Sequence, residues 1–432
     1  VTVVLTPDQE RAFAEIQAAG GEGVFHLLTG YAGSGKTTLV QHCADAWQHM
    51  DVVLTAPTHK AVAVLARKLA STGVDLPCVT IHSLLSLIPR PHGDRMVFER
   101  KRRAKPVTAD IVVIDEASML GADLMRHIRR HLPMAFVLFV GDPAQLPPVG
   151  EVESEAFAIK SRSHLDTIIR QSADNPILDA AHAVRASQGG PADWSWMSQV
   201  RAAPLGVYMP ADAATWMRAG FCSERFRDDP DSFRYLAWTN ARVASVNRQV
   251  RRWIYGGDTP TPFMPGERAI ARSPVFMADG QTLLISTNEE ATVEKIGPGT
   301  FAYALQERGP ARAWTAMVPS WRVDLLKDGG ERVTIDIPRD ERAYQKELAR
   351  IADEAGDHRD RWGDFHAVKQ RMGSLQAPYA MTVHTSQGST FRNVFVDIAD
   401  IRKRVDNVLE MQQLLYVAVT RPSHALVLVN AA

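Results

Sequence analysis

The stretch Gly30-Tyr31-Ala32-Gly33-Ser34-Gly35-Lys36-Thr37-Thr38 follows the pattern Gly, four residues, then Gly-Lys-Thr, and few folds can carry it. The run VFHLLT (24–29) before it has strand character, and Leu39 to Met50 after it repeat apolar residues at helical spacing. Strand, glycine-rich turn and helix in that order make a P-loop. The glycines let backbone N–H groups curl around phosphate oxygens, and the first helical turn adds unpaired donors and a positive dipole end. Lys36 would reach the β- and γ-phosphates, and the Thr37 hydroxyl would complete a Mg²⁺ shell. Gly33, Ser34, Gly35 and Thr38 complete the ATP cradle.

Two further apolar runs end in polar clusters. ADIVVI (109–114) is patterned as a central parallel strand and runs into Asp115-Glu116. That pair reads as a Walker B site, Asp115 holding Mg²⁺ through Thr37 and water and Glu116 orienting and deprotonating the attacking water. AFVLFV (135–140) runs into Gly141-Asp142-Pro143-Ala144-Gln145. Asp51 to Ala56 reads as a third strand, followed by Pro57-Thr58-His59-Lys60 and a helix over 61–71. Each cluster sits at a strand's carboxyl end, where open α/β sheets bind ligands.

The chain has 432 residues, enough for two to four domains, and 45% of them are hydrophobic. Lys plus Arg equals Asp plus Glu at 49 each, so any surface for a polyanion must be local. Cys43, Cys78 and Cys222 are far apart, form no metal-ligand spacing, and suit a reducing compartment as small apolar residues. No apolar run approaches the length of a membrane span, and the first residues lead straight into an amphipathic helix. A cytoplasmic or nucleoid-associated protein, or one in host cytoplasm if phage-encoded, is expected, with no membrane partner.

In chain order, Thr6 caps a helix with Pro7 at its first position and Gln9 in its first turn. Arg90 to Lys105 holds seven Lys or Arg against two acids around Met96-Val97-Phe98, and reads as a basic hairpin with an aromatic tip or as a solvated loop. Leu165 to Gln171 opens a new unit, with a helix over 175–187 and a Trp-, Pro- and Gly-rich connection to residue 210. FRYLAWT (233–239) is a strand leading to Asn240 and a helix that ends near Tyr255. Between residues 266 and 336, short strands and turns at Asn288-Glu289, Gly297-Pro298-Gly299 and Asp328-Gly329-Gly330 suggest a small β-barrel. A charged helical segment (339–372) precedes a return to strand patterning at 379–383, 394–398, 414–419 and 425–429.

The motifs GYAGSGKTT, APTHKAV (56–62), TIHSLL (80–85), IDEASM (114–119), GDPAQLPPVG (141–150), IIRQ (168–171), TVHTSQGSTF (382–391) and YVAVTRP (416–422) resemble, in order, those of superfamily 1 helicases. The resemblance spans nearly the whole chain, and the DEAS, GDPAQLPPVG and HTSQGST forms are similar to the 5′-to-3′ branch of RecD-like and Dda-like enzymes. It implies an α/β fold of two RecA-like P-loop NTPase lobes. A hairpin insertion (86–108) would lie in the first lobe (1–160). The second lobe (161–284 and 376–432) would carry an SH3-like barrel with the charged helical segment (285–375).

Carried over to this chain, the resemblance puts Gln9 on the adenine, Gly388 at the nucleotide, Lys36 and Thr37 on phosphate and Mg²⁺, and Asp115 and Glu116 at metal and base. It makes Gln145 the γ-phosphate sensor and Arg170 and Arg421 the arginine fingers, whose guanidinium groups stabilise transition-state charge when the lobes close. It places single-stranded DNA against Pro57, Thr58, His59, Thr80, His82, Asn240, His384, Thr385 and Ser386. Small polar groups of this kind grip phosphates without a sequence code. Thr385 stands where related enzymes often have Lys, and Phe98 falls where the family inserts a pin that splits the duplex at the single-strand/double-strand junction.

The expected activity is an ATP-dependent 5′-to-3′ DNA helicase acting as a monomer, with single-strand-binding or replication and repair proteins as partners. Three alternatives stay open: a single-strand translocase that strips proteins from DNA, an ATP-gated DNA-binding subunit of a recombination or repair assembly, and an RNA-directed helicase.

Overall fold

The computed structural model describes residues 5–21, 23–71, 73–74, 76–92, 95–167, 176–187, 197, 206–307, 313–358, 361–404 and 406–430. They fall into two compact units. The first comprises Val1–Leu87, Arg100–Ile254 and Tyr379–Ala432; the second comprises Ile88–Glu99 and Tyr255–Pro378.

The first unit holds two parallel sheets. One runs in the order Cys78–Thr80, Val52–Ala56, Ile111–Ile114, Phe136–Gly141, Phe25–Gly30, Arg162–Leu165, every neighbour parallel. Its central strands are buried on both faces, as their unbroken apolar runs require. Along them the residues alternate between two cores: Val112, Ile114, Val137 and Phe139 on one face, and Ile111, Val113, Phe136 and Leu138 on the other. The order places the P-loop strand beside Phe136–Gly141, with the Walker B strand next. Three polar clusters thus emerge along one edge.

Arg162–Leu165 pairs parallel with Leu27–Gly30 and so belongs to this first sheet. The sequence reading opened a new unit at Leu165; four strand residues are too few for their patterning to show which sheet they join. The second sheet orders Ala380–Thr382, Phe233–Ala237, Phe391–Asp397, Pro422–Val429 and Val207–Tyr208, again all parallel. Residues 414–419, patterned like a strand, lie in the helix Val408–Val419, which Asn407 caps by accepting the Glu410 N–H at 3.1 Å. Periodicity alone cannot tell a buried helix from a buried strand in so short an apolar run.

The second unit is built on an antiparallel sheet ordered Arg332–Pro338, Trp314–Lys327, Glu290–Leu305, Arg268–Ala271, Leu375–Gln376. It is not made only of short strands: Glu290–Leu305 has 16 residues and Trp314–Lys327 has 14. The helices Glu341–Asp357 and Arg361–Arg371 pack on it around Phe301, Val318, Leu348, Ile351 and Val368. Arg268–Ala271, which lies before residue 285, pairs with Glu290–Thr292 in this sheet. The strands Leu87–His92 and Arg95–Arg100 form a two-stranded hairpin, and Arg90 donates to the Gly280 carbonyl.

Candidate nucleotide and nucleic-acid sites

The P-loop has the backbone its glycines predict. Gly33 and Gly35 adopt φ of +82° and +81°, a left-handed conformation that costs other residues energy. Gly35 is the N-cap of the helix Lys36–Ala46 and offers no side chain to its first amides, so these N–H groups remain for an anion. Lys36 Nζ donates to the carbonyls of Gly30 (2.5 Å) and Tyr31 (3.0 Å), holding the ammonium over the loop. A Cβ at Gly30 would meet Ser34 Oγ at 2.5 Å, so the loop closes only with glycine there. Ser34 Oγ is buried with no partner among the described residues, an orphaned group that a phosphate oxygen would satisfy. Thr37 and Thr38 open the helix, and Lys68 Nζ lies 3.4 Å from Thr37 Oγ1.

Gln9 is buried beside this loop. Its Oε1 accepts the Thr6 N–H at 3.0 Å in a capping box, and its Nε2 donates to the Gly35 carbonyl at 3.1 Å. Its position next to the P-loop agrees with a nucleotide role, while both ends of its amide are already engaged.

At the carboxyl end of Ile111–Ile114 the backbone turns sharply, and Glu116 takes φ +56°. The Glu116 N–H donates to Asp115 Oδ1 at 2.9 Å. Burial raises the Asp115 pKa, against the Glu116 N–H and the charges of Lys36 and Lys68. Burial, then the Asp115 and Asp142 charges, push Glu116 up to about 7, while Arg421 and Lys36 pull it back. A carboxylate tuned near neutrality suits a general base. Gln145 is buried, and its Oε1 has no partner among the described residues.

Arg421 comes from the second sheet, between the helix Val408–Val419 and the strand Pro422–Val429. Its Nε donates to Val417 O at 3.1 Å, Nη1 to Ser389 O at 3.1 Å and Nη2 to Thr420 Oγ1 at 3.0 Å, so its direction is set. Its charge acts on Glu116 across the cleft between the sheets. Arg170, the other expected finger, lies outside the described residues. Gly388, at φ +70°, approaches the first sheet so closely that a Cβ would stand 2.7 Å from Ala61 Cβ and 3.5 Å from Glu116 Cγ.

Sequence reasoning gave no role to Tyr416, although YVAVTRP contains it. Its hydroxyl accepts the P-loop Ala32 N–H at 3.0 Å and donates to Asp142 Oδ2 at 2.8 Å, while Asp142 Oδ1 accepts the Ala144 N–H at 3.0 Å. One hydroxyl on the second lobe thereby ties the P-loop to the segment carrying Gln145. Arg185 adds a second tie, its guanidinium 3.9 Å from the centre of the Tyr31 ring. Tyr416→Phe would leave the buried Asp142 carboxylate and the half-buried Ala32 N–H short of a partner, at an expected cost of about 1–3 kcal/mol. A urea midpoint equal to wild type would show that the relay contributes nothing.

The nucleic-acid residues divide. Thr58 caps the helix His59–Ala70, accepting the Ala61 N–H at 3.2 Å, with Pro57 half-buried and His59 exposed beside it. Thr80 caps the turn Ile81–Leu84, and burial pushes His82 down to about 4, aided by the charges of His59 and His127. His82 is therefore neutral at pH 7. Asn240 is exposed at the start of the helix Asn240–Tyr255. His384 is lowered by burial, and Thr385 Oγ1 lies 2.9 Å from Thr382 Oγ1.

Two expectations need correction. Ser386 is fully buried and its hydroxyl donates to Val383 O at 2.7 Å, so it shapes the turn and offers no free donor to a strand. Phe98 is exposed but lies inside the strand Arg95–Arg100 and not between the two strands, where residues 93–94 lie outside the described residues, so it is not the hairpin tip.

Residues 4–200 match the AAA domain family, and residues 378–429 match the UvrD-like helicase C-terminal domain. The chain is 28% identical to the ATP-dependent DNA helicase dda of Enterobacteria phage T4 over 96% of its own length and 97% of the relative's. It is 35% identical to the ATP-dependent RecD2 DNA helicase of Deinococcus radiodurans over 41% of this chain and 23% of that protein. In fold it is similar to the Pif1 helicase of Bacteroides solved with single-stranded DNA, with a TM-score of 0.52 at 16% identity over 99% of this chain and 92% of that one. The two parallel sheets thus resemble the RecA-like lobes of that Pif1 helicase, and the chain is homologous to the Dda helicase along nearly its whole length and to RecD2 over part of it.

Proposed function

We propose that this protein is an ATP-dependent DNA helicase that moves 5′ to 3′ along a single strand and separates the duplex ahead of it. The observation that carries this reading is the convergence of two lobes on one cleft. Lys36, Glu116 and Gln145 stand on the first lobe; from the second, the Arg421 charge acts on Glu116 and Tyr416 bonds Ala32 and Asp142. The P-loop amides and Lys36 would hold the phosphates of ATP, and Glu116 would take the proton of the attacking water. Arg421 would stabilise charge on the γ-phosphoryl oxygens, with Arg170 as the second finger. Thr37 and Asp115 fit Mg²⁺ as a hydroxyl and a buried carboxylate, and the ion would neutralise phosphate charge there.

Closure and opening of this cleft would alternate the grip of the two lobes on DNA. Exposed His59 and Asn240, with Pro57, Thr58, His384 and Thr385, are the contacts best placed for that grip, and Thr80 and His82 would shape its floor. The hairpin is the candidate pin, and the antiparallel sheet of the second unit is the candidate SH3-like barrel. The proposed division shifts the expected bounds, with 1–87 and 100–165 as the first lobe, 166–254 with 379–432 as the second, and 255–378 as the insertion. A monomer is the proposed working form, meeting single-strand-binding or repair proteins at the junction.

Strand release from matched duplexes with a 5′ tail, a 3′ tail or no tail, in Mg²⁺ and ATP, tests the reading. Release from the 5′-tailed duplex alone is expected. Preference for the 3′ tail would overturn the polarity. DNA-stimulated hydrolysis without release would instead favour a protein-stripping translocase or a subunit awaiting its assembly.

A further inference from the structure

The edge of the first sheet opposite the P-loop carries a second concavity. It is a pocket of about 880 Å³ at the amino-terminal ends of the central strands, where Ile111 and Phe136 begin. Strands of this length rise about 3.3 Å per residue, which puts roughly 13–20 Å of sheet between this pocket and the clusters holding Lys36, Glu116 and Gln145. None of those residues lines it. It lies apart from the nucleotide site, and of the hairpin proposed as the pin the last residue, Arg100, reaches its wall.

Its wall is amphipathic. Ile16, Trp47, Leu132 and Phe136 supply buried apolar surface, while Met50 and Met134 at the rim are 48% and 62% exposed. Arg100, Arg130 and His131 supply the polar part. Arg100 Nη2 donates to Lys105 O at 2.6 Å and Nη1 lies 3.3 Å from His131 Nδ1, yet its Nε is buried without a partner among the described residues. An orphaned guanidinium N–H in a concave site calls for an acceptor. Asp110 also lines the pocket, but its Oδ2 is already taken by the Asp51 N–H at 2.9 Å.

Asp110 apart, the exposed charge beside the pocket is basic. Lys101, Arg102, Arg103 and Lys105 are exposed on the segment that leads into the pocket wall at Pro106. None of the ion pairs among the described residues uses them or Arg130. By contrast Arg126 and Arg129, on the same helix as Arg130, pair with Asp123 and Glu155. In a chain of zero net charge such a group of unpaired cations is a local anion field.

We propose that this pocket docks an acidic peptide segment of a partner protein that carries one or two large apolar side chains, the carboxylates meeting Arg100, Arg130 and the 101–105 run. The apolar side chains lie on the floor that Trp47 and Phe136 form by packing edge to face, between the rim residues Met50 and Met134. The floor decides against nucleic acid: phosphates and sugars gain nothing from Ile16, Trp47, Leu132 and Phe136, whereas a Leu or Phe side chain does. The cations decide against a purely apolar peptide, since it would leave the Arg100 donor unsatisfied.

The test is fluorescence anisotropy of the whole chain with a labelled octapeptide of alternating Asp and Glu ending in Leu-Phe. Two comparison arms are an all-acidic octapeptide and an unlabelled blunt duplex as competitor. Saturable binding is expected, weakened about tenfold both by Arg130→Glu and by loss of the Leu-Phe end. Arg130 is exposed and outside the ATP machinery, so Arg130→Glu should keep wild-type DNA-stimulated hydrolysis, which also certifies its fold. Lys36→Ala should bind the peptide normally, which separates this proposal from the helicase reading. No saturable binding, equal affinity for the all-acidic peptide, or no effect of Arg130→Glu would overturn it. Displacement of the peptide by stoichiometric duplex would overturn it too, and would assign the surface to DNA.

Discussion

Lys36→Ala is expected to lower DNA-stimulated ATP hydrolysis by at least about 10²–10³-fold, equivalent to roughly 3–4 kcal/mol of transition-state stabilisation. The ammonium is held over the loop by the Gly30 and Tyr31 carbonyls at 2.5 and 3.0 Å, where charge on the transferred phosphoryl group would develop. No neighbour can substitute for it. Lys68, whose charge also acts on Asp115, has its Nζ at Thr37 Oγ1, toward the proposed metal side. Single-strand affinity should stay within about twofold of wild type, because phosphate contacts of the strand depend on other residues. The two readouts are hydrolysis at saturating single-stranded DNA and anisotropy of a labelled oligonucleotide without nucleotide. Retained stimulated hydrolysis would remove the P-loop assignment, and lost DNA binding would mean that Lys36 supports the fold of the first lobe.

What could be read from the sequence was set by how local its cause is. The Walker B strand was legible because Ile111–Ile114 are buried on both faces, so every position had to be apolar. The P-loop was legible because its phosphate geometry needs glycine at Gly33 and Gly35, and both take positive φ. The turns at Asn288 and Gly330 also have positive φ and were found for the same reason. Gly297-Pro298-Gly299 misled by the same rule: these residues lie within Glu290–Leu305, opposite Arg322, Trp321 and Ser320. Arg268–Ala271 covers only Glu290–Thr292 on the other side of that strand, so Pro298 has no second neighbour there to which it owes an N–H.

Relations between distant segments left no local trace. Nothing in the spacing of YVAVTRP says that Tyr416 bonds both Ala32 and Asp142, since that depends on how two sheets face each other. Motif membership carried Arg421 to the cleft, whereas for Ser386 it mistook a buried turn residue for a contact. Motifs mark segments; within a segment, burial and existing partners decide which side chain remains free to act.

Glu116→Gln provides the second large effect, and it separates chemistry from binding. The substitution keeps volume and amide-like geometry but removes the base, so kcat should fall by about 10²–10⁴ with KM for ATP unchanged or lower. Unwinding should fall in parallel. Loss of folding cannot explain such a result, because the expected stability change has the opposite sign. Burial and the Asp115 charge raise the folded Glu116 pKa from 4.5 to about 7. A carboxyl group raised in this way favours the fold fully below its unfolded pKa, and that contribution is lost as pH climbs through about 7. At pH 8 the wild-type chain has lost it and the Gln variant has no such charge to bury, so the variant should unfold at equal or higher urea concentration. A variant with low kcat and a raised midpoint is the signature of a catalytic carboxylate placed at a cost to stability. A kcat within tenfold of wild type would move the base to another group in the cleft, whereas a lowered midpoint would make Glu116 a structural partner of the Arg421 and Lys36 charges.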